Sequence, residues 1–177
     1  LYAGAGPVPA GTLRVTVLDV GQGLAVLVQT AAHTLLYDAG PSFRNSDAGQ
    51  RVVVPALQAL GVQHLDALMI SHPDADHRGG AASVLARYPA SRIVGAAVDD
   101  QPVTPCRAGT HWGWDGFEFE ILHPPQVAVT AADNDGSCVL QISGAGSRVL
   151  LPGDIEAQAE HDLVASPASA TADLVLA

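Results

Sequence analysis

Leu68-Met-Ile-Ser71-His72-Pro-Asp74-Ala-Asp76-His77-Arg78-Gly-Gly80 decides how this chain is read. A short apolar run ends in two histidines and two aspartates, all between positions 72 and 77. Neutral imidazole and ionised carboxylate are the side chains that bind Zn²⁺, Mn²⁺ or Fe²⁺, and a buried strand ending in them delivers several to one point. A polar loop opening a helix would use some of the same residue types. Four ligand types at alternating spacing, closed by Gly-Gly, favour a metal site. On an extended segment His72, Asp74 and Asp76 share one side, and His77 turns in as a helix begins.

The rest of the chain alternates strand and helix patterns around that stretch. Residues 13–19, 24–30 and 33–38 are alternating and rich in β-branched residues, and tight turns join them into an antiparallel meander. Asp38-Ala-Gly-Pro41 ends it in turn residues, and 42–50 is polar and expected to be a mobile loop. Apolar spacing predicts helices over 51–60, 80–88 and 155–164, with Gly61 and Pro89 as stops. Strands are predicted over 65–70, 91–98, 117–122, 137–142 and 147–151, the last two joined by the 144–146 turn. Two β-rich halves, each closed by helix, predict an α/β domain of two packed sheets with helices outside.

Length and composition set limits. At 177 residues and 48% hydrophobic, the chain is long enough for one domain with a sizeable core. No apolar run reaches the ~18 residues of a membrane helix. Residues 1–12 are rich in Gly, Ala and Pro and read as a linker, and 173–177 reads as a strand with no turn after it, so both ends suggest an excised piece of a larger protein. The formal net charge is −10 and all eight basic residues are Arg, which excludes nucleic-acid binding by general attraction. Bound divalent cations would offset several carboxylates. Cys106 and Cys138 could pair in an oxidising compartment or stay as buried thiols.

Asp19-x-Gly-x-Gly23, Tyr37-Asp-Ala-Gly40, the 71–80 cluster and Leu151-Pro-Gly-Asp154 occur in that order. Together they resemble the metallo-β-lactamase superfamily, which implies a four-layer αββα sandwich with two mixed sheets and a metal site at one sheet edge. Asp74 stands where the superfamily's second motif carries a His. With Leu18-Asp-Val-Gly-Gln-Gly23 and the Leu65-Asp-Ala-Leu68 lead-in, that narrows the resemblance to the C-terminal domain of the competence DNA-internalisation channel family (ComEC).

The resemblance implies metal ligands His72 and Asp74 for one ion, Asp76 and His77 for a second, and Asp154 bridging. Asp154 also suits a helix N-cap. Asp76 would act in catalysis by orienting an attacking water. One or two divalent ions are implied, Mn²⁺ favoured by the added oxygen donor, with Zn²⁺ or Mg²⁺ as alternatives. Asp133-Asn134-Asp-Gly-Ser137 replaces the superfamily's third-motif His; Asn134 and Ser137 would approach substrate, or the segment is a plain turn. Arg44 and Arg78 are candidates for phosphate contact. Asp19 and Asp38 are expected behind the ligands or in turns rather than on the metal. Trp112-Gly-Trp114 could stack on a base or fill a core. The family's last motif, Pro-His-His-Gly-Ser, is absent from this sequence, so residues 13–177 would form the domain without it, with 1–12 linking to an upstream membrane domain.

The function implied is a metal-dependent phosphodiesterase that degrades the non-transported DNA strand during natural transformation. It would sit on the extracytoplasmic (periplasmic) side of the inner membrane, as part of an integral membrane protein, without inserting itself. Its partners would be single-stranded DNA and the channel domain of the same parent. The alternatives are a metallohydrolase of a small ester or lactam and a non-catalytic DNA- or partner-binding module.

Overall fold

Short β-branched segments build the first sheet. In the computed structural model, which describes residues 6–125, 134–165 and 171–176, β1 (Arg14–Val17), β2 (Val26–Gln29) and β3 (Thr34–Tyr37) form an antiparallel meander. A ribbon of β4 (Ser42–Phe43) and β5 (Ser46–Asp47) follows, then a π-helical turn, Gly49–Val53, running into α1 (Val54–Ala59). β6 (Leu65–Ile70) returns parallel to β3. Helices α2 (Ala75–Arg78) and α3 (Ala81–Arg87) lead to β7 (Ala90–Gly95), parallel to β6. The sheet order is β1-β2-β3-β6-β7.

The second sheet is mostly a meander: β8 (His111–Trp114), β9 (Phe117–His123), β10 (Val139–Gly144) and β11 (Ser147–Leu151) pair antiparallel in sequence. After α4 (Ala157–Ala165), β12 (Leu174–Val175) adds parallel to β11.

Alternation along each strand divides the core into layers. Leu27, Leu36, Leu68 and Ile70 face α1 and α3, packing with Leu57, Val53 and Val84. Val26, Val28, Leu35, Tyr37 and Met69 face the other way and meet Phe119, Ile121, Leu140 and Leu151 of the second sheet. Val139 and Leu150 pack outward with Leu163 of α4. The architecture is the four-layer αββα sandwich with two mixed sheets. Burying both faces explains why β2 and β6 are almost continuously apolar.

Three sequence expectations change. Residues 42–50 are not an unstructured loop: the β4–β5 ribbon is tied down by Ala48 N donating to Pro41 O (2.8 Å) and Ser83 Oγ donating to Asp47 Oδ2 (2.6 Å). The extended segment expected through Asp76 ends at Asp74, because α2 starts at Ala75 and period-two alternation stops there. β8 was not foreseen, since Gly113 interrupts its alternation; its Trp112 stacks on Phe119 and Trp114 on His33, so both tryptophans pack within the molecule. Cys106 and Cys138 form a disulfide, joining the segment after β7 to the start of β10. Of the expected linker, 1–5 lie outside the described residues and Val8 is buried. Asp133 and Ala177 lie outside them too.

Candidate metal centre

The parallel strands β3 and β6 end side by side, and each leaves its sheet on a polar residue. Asp38 follows β3, and Ser71-His72 follows β6. Asp38 adopts a left-handed backbone (φ 58°), rare for a residue with a Cβ, and its side chain is fully buried. Its Oδ1 accepts from Ser71 N (2.7 Å); its Oδ2 accepts from Ser71 Oγ (2.8 Å) and from His77 Nδ1 (2.8 Å).

This network fixes both imidazoles. Ser71 Oγ gives its single proton to Asp38, so the 2.9 Å contact with His72 Nδ1 requires that nitrogen to donate. His77 Nδ1 likewise donates to Asp38. Both Nε2 lone pairs are therefore left for another partner, the arrangement that carboxylates behind metal-bound histidines produce. His72 Nε2 is buried with no hydrogen-bond partner, and His77 Nε2 lies 3.2 Å from Asp154 Oδ1. The two rings are 4.2 Å apart, centroid to centroid.

Asp154 arrives from the second sheet, three residues past β11. The approach needs glycine at 153: a Cβ there would lie 2.9 Å from the Ser71 Cβ and 3.1 Å from the Tyr37 hydroxyl, and the backbone is left-handed (φ 62°). Tyr37 reinforces the junction by donating to Cys138 O (2.6 Å) and approaching Leu151 O (3.2 Å), which ties the site ends of the two sheets together. Asp154 does not cap α4. Asp135 does, its Oδ1 accepting from Glu156 N (2.9 Å) and Ala159 N (3.4 Å), which leaves Asp154 for the histidines.

Among the described residues, His72, His77 and Asp154 place donor atoms within 4.8 Å of one another. Two imidazoles and a carboxylate, with an orphaned buried nitrogen among them, fit a divalent ion and leave coordination positions open. The other expected ligands, Asp74 and Asp76, lie outside this trio. Asp74 sits in the N-cap position of α2, its side chain 53% exposed and its Oδ2 3.7 Å from His72 Nε2. Asp76 lies half-buried in α2.

Electrostatics follow the burial. Desolvation raises the Asp38 carboxyl above its ordinary value, against the opposing pull of His77 and Ser71. Burial alone would lower His77; the hydrogen bond and charge of Asp38, with Asp154 and Asp76, outweigh it and raise the imidazole.

The other candidates do different jobs. Asp19 Oδ1 accepts from Gly21 N (3.3 Å) and shapes the β1–β2 turn. Gly23 in that turn lies so close to α2 that a Cβ would fall 1.9 Å from Asp76 O, so the Asp-x-Gly-x-Gly motif seats the helix that carries His77. Asn134 Nδ2 donates to Glu156 Oε1 (3.2 Å), toward α4. Ser137 is fully buried, its Oγ unpaired and its carbonyl 3.1 Å from His123 Nδ1. Arg44 is exposed in the β4–β5 turn, and Arg78 Nη1 donates to Ala97 O (3.4 Å). Ser71 had no assigned role in the sequence; its place between two histidines and a strand end was the available signal.

A family model described as the metallo-beta-lactamase superfamily matches residues 18–176. The chain belongs to that superfamily. Its members bind divalent metals and are generally hydrolytic, in keeping with the His/Asp cluster. Recombination protein 2 of Haemophilus influenzae is 41% identical over 153 residues, covering 85% of this chain and 19% of that protein. Competence protein ComA of Neisseria gonorrhoeae is 40% identical over 157 residues, covering 89% and 22%. These homologues are competence proteins of the ComEC family, and the chain spans about a fifth of their length. The solved MIM-2 metallo-β-lactamase superposes with a TM-score of 0.63 at 19% identity over 99% of this chain and 77% of its own, which is a likeness of fold.

Proposed function

We propose that this domain hydrolyses phosphodiester bonds in single-stranded DNA, with a divalent metal held by His72, His77 and Asp154, as the nuclease part of a DNA-uptake protein. The convergence of those three donors on one point, with a buried His72 Nε2 lacking any other partner, carries the reading. Similarity to competence proteins supports the substrate class.

When bound, the metal supplies Lewis acidity toward a phosphoryl oxygen and lowers the pKa of water. The chain's own residues prepare for it. Asp38 and Ser71 hold both Nδ1 protons so that both Nε2 atoms face the ion. Asp76, half-buried beside His77, orients the attacking water and accepts its proton at a carboxylate oxygen. Asp74 at the rim adds an oxygen donor, which moves the preference of an otherwise zinc-suited set toward Mn²⁺. Arg78, on the same short helix, meets the substrate phosphate.

A location on the extracytoplasmic side of a membrane accords with the Cys106–Cys138 disulfide, which persists in oxidising compartments. Among the described residues, no helix is long and apolar enough to cross a membrane.

The test is hydrolysis of end-labelled single-stranded DNA by the chain with Mn²⁺, Zn²⁺ or Mg²⁺, beside a thioester and a lactam. The reading predicts metal-dependent cleavage of DNA that His72→Ala abolishes. Intact DNA with every metal, alongside hydrolysis of the thioester or lactam, would reject it.

A further inference from the structure

The β4–β5 ribbon stands beside α2, the helix that carries Asp76 and His77, and packs against it. Phe43 is 42% exposed on this ribbon, one of few large apolar side chains left in solvent among the described residues. The Arg51 guanidinium lies over the Phe43 ring, 5.3 Å from its centroid. Arg44 is exposed in the adjacent two-residue turn. From the ribbon, a cleft of about 240 Å³ runs along α2 past Ser42, Ala75 and Arg78 to Ala97 and Asp99. Arg78 lines this cleft, and Arg44 and Arg51 lie on and just after the ribbon at its Ser42 end, in a protein of net charge −10 with eight arginines.

The ribbon is firmly held, so this presentation is built in. Besides the Ala48–Pro41 and Ser83–Asp47 bonds, Gln50 N donates to Asp47 Oδ1 (2.8 Å), and Gly80 N donates to Gly40 O (3.1 Å) at its base. Asp47, between Arg44 and Arg51 in sequence, turns its oxygens to Gln50 N and Ser83 Oγ rather than to an arginine.

An aromatic face backed by a guanidinium, with further guanidinium groups alongside, is the pairing that binds single-stranded nucleic acid: the ring stacks a base and the cations hold the backbone. A double helix keeps its base faces stacked and offers none to Phe43. We infer that the β4–β5 ribbon is the docking surface for single-stranded nucleic acid, with Phe43 stacking a base and Arg44 and Arg51 holding the flanking phosphates. Strand docked here lies against the ribbon that packs on α2, the helix that carries His77. The inference rests on the proposed phosphodiesterase reading, and it names what holds the strand.

The experiment measures equilibrium binding of a labelled oligothymidylate of about twelve nucleotides and of an abasic strand of the same length, to the chain and its Phe43→Ala, Phe43→Trp, Arg44→Ala and Arg51→Ala variants. Phe43→Ala is expected to weaken the oligothymidylate about tenfold and the abasic strand hardly at all, with Phe43→Trp restoring affinity. Arg44→Ala is expected to weaken both probes alike and reduce the salt slope by about one. Equal affinity of Phe43→Ala and the parent for oligothymidylate would overturn the inference, as would equal competition by polyglutamate, which would assign the patch to an acidic protein. If the parent cleaves no DNA yet binds it in this Phe43-dependent way, the phosphodiesterase reading falls and the docking surface stands.

Discussion

Asp38 and Asp115 sit at opposite ends of β3 and look alike. Each has a left-handed backbone, φ 58° and 51°, and each carboxylate accepts three hydrogen bonds, one from a histidine. Asp115 takes Thr30 Oγ1 (2.6 Å), Ala32 N (2.8 Å) and His33 Nδ1 (3.0 Å), pinning the β8–β9 turn to the β2–β3 turn. Their acidities move apart. The hydrogen bonds from Thr30, His33 and Ala32 pull Asp115, which is partly open to solvent, down to about 2, whereas burial pushes Asp38 up despite its own three. One set of bonds at a wet edge stabilises a charge. The same set in a dry pocket only partly offsets desolvation, and what it secures there is the orientation of two imidazoles.

Replacing each aspartate separates the two roles. Asp38→Asn keeps an acceptor for Ser71 N but sets an amide against His77 Nδ1 and Ser71 Oγ, so metal affinity should fall about 10–100-fold in calorimetry with little loss of unfolding temperature. Asp115→Asn should do the reverse, lowering the unfolding temperature and leaving metal affinity unchanged. If both variants lose metal binding equally, the distinction collapses.

The hydroxyl partners sharpen it. Ser71→Ala strands the proton of His72 Nδ1 and should weaken metal binding by about tenfold. Thr30→Ala removes one bond from Asp115 and should cost about 1 kcal/mol in denaturant unfolding, with no effect on the metal.

The smallest effect lies in acid. Because Asp115 is depressed in the folded state from 3.8 to about 2, the stability it supplies is fully present above its unfolded value and is lost as pH falls through about 2. Asp115→Asn should therefore differ from the parent at neutral pH and converge on it in that acid window. A difference that stays constant across the window would remove Asp115 from this account.

The layers were legible in the sequence because they depend on local periodicity. Residues 65–70 and 147–151 became strands of those bounds, and Leu151-Pro-Gly-Asp154 delivered its carboxylate. Much of the site was legible for the same reason, since His72 and His77 lie within one stretch. What stayed hidden depends on distant partners. Asp115 holds residues 82 to 85 positions away, and the tie from Tyr37 to Cys138 spans 101. Alternation also sets Asp76 on the side of His72, yet the chain turns helical at Ala75, a switch that one four-residue helix does not announce; Asp74, still extended, keeps its Oδ2 3.7 Å from His72 Nε2.

Anomalous scattering from crystals of the chain grown with Mn²⁺ or Zn²⁺ tests the central claim most directly. The account predicts an ion bonded to His72 Nε2, His77 Nε2 and an Asp154 oxygen, at about 2.0–2.2 Å. An ion held by Asp74 and Asp76 without His72, or no ion at saturating metal, would contradict it.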